Sequence, residues 1–213
     1  MNWKRIPKEK SIQPQSGNYK DWKPLIAEEG FHQCVYCSIS ESSFGGIRNF
    51  HVEHYKPKSL SCFSHLENDF TNLFYACPVC NSFKSDDWPC EPDPDLNTTC
   101  YPNPSIVDYS HIFTIEHTTG LINGVNVAAK YVLYKLYLNR PQLIINRREH
   151  ILKMRYEELI QKTTLQVNEL INSSDNDEKK ILLREFFDAI NNIHSVFLSK
   201  DETVPYTAEQ IKK

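Results

Sequence analysis

Two matching pairs of cysteines constrain this chain more than anything else in it: Cys34-Val-Tyr-Cys37 and Cys77-Pro-Val-Cys80. Each short turn aims two thiolates at one point, and two such turns complete a tetrahedral four-sulfur set suited to Zn²⁺. The 39 residues between the pairs exceed the ~15–20 of a simple zinc ribbon, so substantial structure must be inserted between them. A fully coordinated ion of this kind is scaffold and not catalyst. The competing explanations are four buried or disulfide-linked thiols, or a redox pair. They account poorly for a doubled spacing without βαβ context. Cys62, Cys90 and Cys100 have no partner spacing and read as unligated thiols.

The odd total of seven cysteines, with no apolar leader after Met1, points to a reducing, cytoplasmic setting. No apolar run approaches the ~18 residues of a membrane helix. Apolar residues at 40 % and aromatics at 12 % exclude intrinsic disorder. The net charge of −3 argues at first against a nucleic-acid partner. That total is an average of unlike regions. Residues 61–120 carry nine acids against the single base Lys84, whereas 130–155 holds Lys130, Lys135, Arg140, Arg147, Arg148, Lys153 and Arg155 against Glu149. The basic stretch suits a phosphate backbone, or else is a solvated helix face.

Three regions are expected. Residues 1–30 form an N-terminal arm, extended by its prolines and anchored by Trp3 and Trp22. Residues 31–95 form the cysteine-stapled core, with a strand at Phe50–Glu53. Residues 96–213 are a loop followed by a helical extension. In this last part a short β segment, Ile112–Glu116, precedes a turn around Gly120 and Gly124. Helical spacing then begins at Val127, with one helix from Pro141 to about Ile171 and another over roughly Glu178–Leu198.

Between the cysteine pairs lies His51-Val52-Glu53-His54-Tyr55-Lys56-Pro57, followed by Asn72-Leu73; Asn81-Ser82-Phe83-Lys84 comes directly after the second pair. The metal staple would draw Asn81 back towards the first strand, gathering imidazole, carboxylate and amide. Carboxylate and amide oxygens suit a hard divalent ion, and a neutral histidine beside it suits a general base.

In this order, Cys34-x-x-Cys37, Val52-Glu53-His54-Tyr55-x-Pro57, Asn72-Leu73 and Cys77-x-x-Cys80-Asn81-x-x-Lys84 resemble the signature of zinc-bound HNH endonucleases, the ββα-metal family. The resemblance implies an α+β fold: a small ββα-metal core stapled by the four-cysteine zinc site, with a helical C-terminal extension. Position by position, it makes His54 the base that activates water, and Glu53 and Asn81 the ligands of a catalytic Mg²⁺ or Mn²⁺. His51, on the same strand face as Glu53, is a further ligand or a phosphate contact. Asn72 braces the loop that orients the histidine, and Lys84 holds a phosphate. The family's reaction is phosphodiester hydrolysis, leaving a 5′-phosphate and a 3′-hydroxyl. Glu53 stands where the family most often has Asp.

Leu138-Asn139-Arg140 and Arg147-Arg148 are similar to the tails of bacterial HNH proteins of anti-phage systems that work beside an ATPase, as in Septu and retron modules. That similarity implies a partner ATPase or sensor subunit, and the long helices allow a homo-oligomer. Nucleic acid, DNA before RNA, is the expected substrate. The alternative is a non-catalytic zinc-scaffolded module that binds nucleic acid or a partner.

Overall fold

A computed structural model describes residues 3–173 and 176–199. Among these the chain forms two compact units, 3–148 and 149–199. The first is built around a two-stranded antiparallel sheet. β1 (His51–His54) pairs with β2 (Leu73–Ala76) in the register His51↔Ala76, Val52↔Tyr75, Glu53↔Phe74 and His54↔Leu73. All four residues of β2 are buried. Helix α1 (Lys23–Glu29) lies against the strands, and α2 (Pro78–Lys84) packs on β1.

Helix α2 starts at the second cysteine pair for local reasons. Pro78 occupies the first turn, where its missing N–H costs nothing, and the Cys77 sulfur caps the Cys80 N–H. The first pair is held in place by β2 itself. Val35 N donates to Tyr75 O at 2.8 Å, while Ser38 N bonds Cys34 O and Cys34 N bonds Ile39 O. One strand therefore brings the two pairs together: it binds the first along its edge and leads into the second at its end.

The arm departs from an extended path. Residues Lys8–Lys10 make a short 3₁₀ turn, and Lys23–Glu29 is helical, with Pro24 in the first turn where a helix accepts it. Both tryptophans are buried anchors. Trp3 Nε1 donates to Tyr36 O at 3.0 Å, and Trp22 Nε1 to Ser16 O at 2.7 Å.

The expected division after residue 95 does not interrupt the packing. Leu96, Cys100, Tyr101, Tyr109, Ile112, Val132 and Leu138 share one apolar core with Trp3, Tyr36, Phe74 and the four cysteines. β3 (Phe113–Ile115) and β4 (Ile122–Gly124) form a second antiparallel pair, followed by α3 (Val127–Lys135) with Asn126 as its cap. Gly124 is thus a strand residue, and the turn belongs to Gly120. Its φ of +76° and the close approach of Ile144 O and Arg148 leave no room for a side chain.

Helix α4 (Pro141–Ser173) begins in the first unit and continues into the second, which also contains α5 (Asp177–Ser199). The fold is thus mixed α and β, with small antiparallel strand pairs, a four-cysteine cluster and a C-terminal helical stretch. No helix among the described residues is long and apolar enough to cross a membrane.

Candidate active site and metal centre

The ligand atoms of Cys34, Cys37, Cys77 and Cys80 all lie within 4.8 Å of one another, and all four residues are buried. A tetrahedral Zn²⁺ with Zn–S bonds of about 2.3 Å requires sulfurs about 3.8 Å apart. Cys37 Sγ and Cys77 Sγ are 3.8 Å apart. The donor set therefore fits the ion in chemistry and in size. Hydrogen bonds from the three neighbouring thiols hold Cys77 far below the ordinary thiol range. Cys62, Cys90 and Cys100 are free thiols outside this set.

A cleft of about 560 Å³ opens beside the sheet, and His51, Glu53, His54 and Asn81 all line it. β1 contributes the first three and α2 the fourth, so the strand–helix contact assembles the set. His54, 9 % exposed, places Nε2 at 2.9 Å from Glu67 O. A carbonyl oxygen only accepts, so this contact makes Nε2 the protonated nitrogen and leaves the lone pair on Nδ1. Burial is the main cause holding the His54 pKa below its ordinary value. The Glu67 carbonyl opposes the shift, and Lys58 and Lys84 add to it. His51 reaches the surface, and its pKa is also lowered, by partial desolvation and then by Lys23.

Asn72 does not line the cleft; it is buried at the end of the loop that carries Glu67. Its Oδ1 accepts from Lys56 N at 2.8 Å, and its Nδ2 donates to Lys56 O at 3.0 Å and to Leu66 O at 3.4 Å. One amide thus clamps the two ends of the 56–72 loop.

Lys84 has a different role from the expected one. Its ammonium is fully buried, 2.6 Å from Glu53 Oε1, and it also donates to His54 O at 3.0 Å. It points into the core instead of towards a solvent-borne phosphate, because α2 packs this face against β1. Glu53 also accepts from Tyr36 Oη at 3.2 Å, on the same Oε1. Burial raises the Glu53 carboxyl pKa, against the opposing pull of Lys84 and Tyr36. Both contacts fall on one oxygen, so neither uses Oε2.

The basic stretch 130–155 is likewise redistributed. Arg147 is buried, donating to Gly120 O, Leu138 O and Asn139 Oδ1. Arg140 lies over the cysteine set, with its guanidinium 3.6–3.7 Å from the sulfurs of Cys37, Cys77 and Cys80. Burial lowers the pKa of Arg140, but the neighbouring cysteine sulfurs, Cys80 first, outweigh that and raise it. Lys135 pairs with Asp87 at 3.3 Å. Only Lys130 and Arg148 of the five candidate contacts are exposed. A sequence shows charge but not direction, and three of these five cations point inward or to a neighbouring acid.

The cleft instead takes its cations from elsewhere: Lys20, Lys23 and Lys58 line it, together with the Tyr19 ring. Lys58 directly follows the His54–Pro57 segment and was findable by proximity; no spacing signal marks Tyr19, Lys20 or Lys23.

No curated protein and no solved structure matches the chain. The family model described as HNH endonuclease matches residues 34–87, from the first cysteine pair through β1 and β2 to just past α2, so this segment is similar to HNH endonucleases.

Proposed function

We propose that the chain is a metal-dependent endonuclease that hydrolyses phosphodiester bonds in nucleic acid, DNA before RNA. The observation that carries the reading is the state of His54: tautomer fixed by Glu67 O, pKa held low, and position on the wall of a cleft rimmed by lysines. Nδ1 is then the base that removes the proton from the attacking water. Asn72 is a positioning residue, since the loop it clamps carries the carbonyl that orients the imidazole.

Glu53, through its uncommitted Oε2, and Asn81 are the oxygen donors for a catalytic ion, with His51 beside them. Mg²⁺ suits so sparse a set, because it binds through one or two carboxylates and keeps several waters; Mn²⁺ accepts similar ligands. When bound, such an ion polarises a phosphoryl oxygen and stabilises charge on the leaving oxygen. The four-cysteine set holds Zn²⁺ as scaffold. Residues 31–95 are the nuclease core, preceded in sequence by the arm 1–30 and followed by the loop and helical extension from 96. Lys84 acts on phosphate only through Glu53, which it holds in place.

A plasmid-nicking assay with Mg²⁺, Mn²⁺ or EDTA tests the proposal. Metal-dependent nicking by the wild type and none by His54→Ala is the expected result. Retained metal-dependent nicking in that variant overturns the assignment.

In its wider setting, we place the enzyme in the cytoplasm as an effector of anti-phage defence beside an ATPase. The support is the resemblance of Leu138-Asn139-Arg140 and Arg147-Arg148 to such tails; separately, Lys130 and Arg148 keep outward charges for nucleic acid. Activity that rises on adding the ATPase is the expected result, and equal activity with and without it counts against this setting. Exposed Leu152, Leu159, Ile181 and Phe186 on the long helices support self-association, which light scattering would detect.

A further inference from the structure

Residues 13–23 precede the span matched by the family model, and the signature gives them no part in the site. In the structure they supply one wall of the cleft. Gln13 Nε2 donates to Asn68 O at 3.1 Å, Gln13 Oε1 accepts from Phe70 N at 2.9 Å, and Tyr19 N donates to Asn68 Oδ1 at 3.0 Å. These three bonds strap the arm to the loop whose Glu67 carbonyl holds His54. Tyr19 then stands edge-on to the His54 imidazole, with ring centroids 4.9 Å apart. Lys20 follows directly, exposed, and Lys23 begins α1, half-buried.

The charge around the cleft is one-sided. Three lysines line it, Lys20, Lys23 and Lys58, and its one carboxylate, Glu53, is already neutralised from behind by the buried Lys84. Lys58 is shared with Glu67 at 2.6 Å. Lys23 Nζ donates to Arg48 O at 3.4 Å and is also within the field of the buried Glu41 carboxylate. These three cations line a single cleft of about 560 Å³. Their fields therefore add, and they favour a polyanion in a chain whose net charge is −3.

We infer that Tyr19, Lys20 and Lys23 form a substrate-binding wall that grips the phosphodiester backbone of the strand beside the scissile bond. Lys20 and Lys23 each neutralise one phosphate, and Tyr19 limits how far the strand can approach His54. Contacts of this kind position a strand without reading its sequence. The inference rests on the nuclease reading and names residues outside the family signature.

Binding is best measured by fluorescence anisotropy in a His54→Ala background, so that cleavage does not intrude. The probes are a short labelled DNA duplex and an RNA duplex of the same sequence. Adding Lys20→Gln and Lys23→Gln should weaken binding at least about tenfold and flatten the salt dependence by about 1.8, from about 0.9 per lost phosphate contact. Lys162→Gln, on the surface of α4, should change neither. Circular dichroism and zinc content should match the parent, since both altered side chains reach the surface. Loss confined to the RNA probe supports the wall and moves the substrate from DNA to RNA. Unchanged affinity and salt slope on both probes overturn the inference, while wild-type nicking would leave the nuclease reading standing. A wild type that neither nicks nor binds overturns both.

Discussion

Lys84 Nζ lies 2.6 Å from Glu53 Oε1 in a pair almost fully removed from solvent, at 0 % and 3 % exposure. The two residues come from different elements, α2 and β1, so the pair fixes the helix to the strand that carries His54. Its attraction is set against a desolvation penalty of several kcal/mol for each ion, and removing one partner leaves the other charged and unpaired. Lys84→Met should therefore cost about 3–5 kcal/mol, read by urea denaturation. Lys84→Met with Glu53→Gln should cost less than the two single changes added together, because the stranded charge is gone. Additive losses would show that the pair is not coupled.

The acid limb of activity should lie below the ordinary histidine value of about 6.5. Burial lowers the His54 pKa, so the neutral base persists further into acid, and the rate falls only as pH passes the lowered value. The same shift makes a stability prediction. A depressed folded-state pKa contributes stability that is present above about 6.5 and lost as pH falls through the folded value. A pH–rate profile with its acid midpoint above 6.5 would contradict the assignment of His54 as base.

Asn72→Ala removes the clamp on the 56–72 loop and leaves Lys56 N and Lys56 O without their side-chain partner. An unpaired buried polar group costs about 1–3 kcal/mol. Stability should fall by that order, and kcat should fall more than substrate affinity, since the loop orients His54 and leaves the lysines in place. Asn72→Asp keeps the acceptor for Lys56 N but loses the donor, so it should recover part of the stability. A variant with wild-type kcat would remove Asn72 from the site.

Removing the zinc ion should unfold the first unit. Structural Zn²⁺ contributes about 10–16 kcal/mol in small peptides, comparable with the whole stability of an ordinary domain at about 5–15. Cys77→Ser should therefore be insoluble or metal-free, and metal analysis of the wild type should find one zinc per chain. A folded, fully active Cys77→Ser protein would contradict the scaffold role.

How much was readable in the sequence follows from which interactions are local. The cysteine set was legible because its spacing is itself the geometry: two four-residue turns leave little freedom. His54 and Asn81 were legible as an ordered set, and they do line one cleft. The strand Leu73-Phe-Tyr-Ala76 shows no alternation of polar and apolar residues, because it is covered on both faces. Lys84 and Arg147 are misleading in a sequence, since lysine and arginine are usually solvated. Only tertiary packing shows that one neutralises Glu53 and the other ties Gly120 to Leu138 and Asn139. Arg140 is similar: its partners are three sulfurs 60 or more positions away.

The shared apolar core has a consequence for how such a region can be inherited or rearranged. The signature runs from Cys34 to just past Lys84, yet Trp3, before it, donates to the Tyr36 carbonyl, and Tyr101 and Tyr109, beyond it, pack against the Tyr36 ring. A gene fragment trimmed to the signature would carry every catalytic candidate and lack the hydrophobic residues that enclose them. The unit that recombination can move intact is therefore the whole stretch from the arm to the start of α4, about two and a half times as long as the motif by which it is recognised.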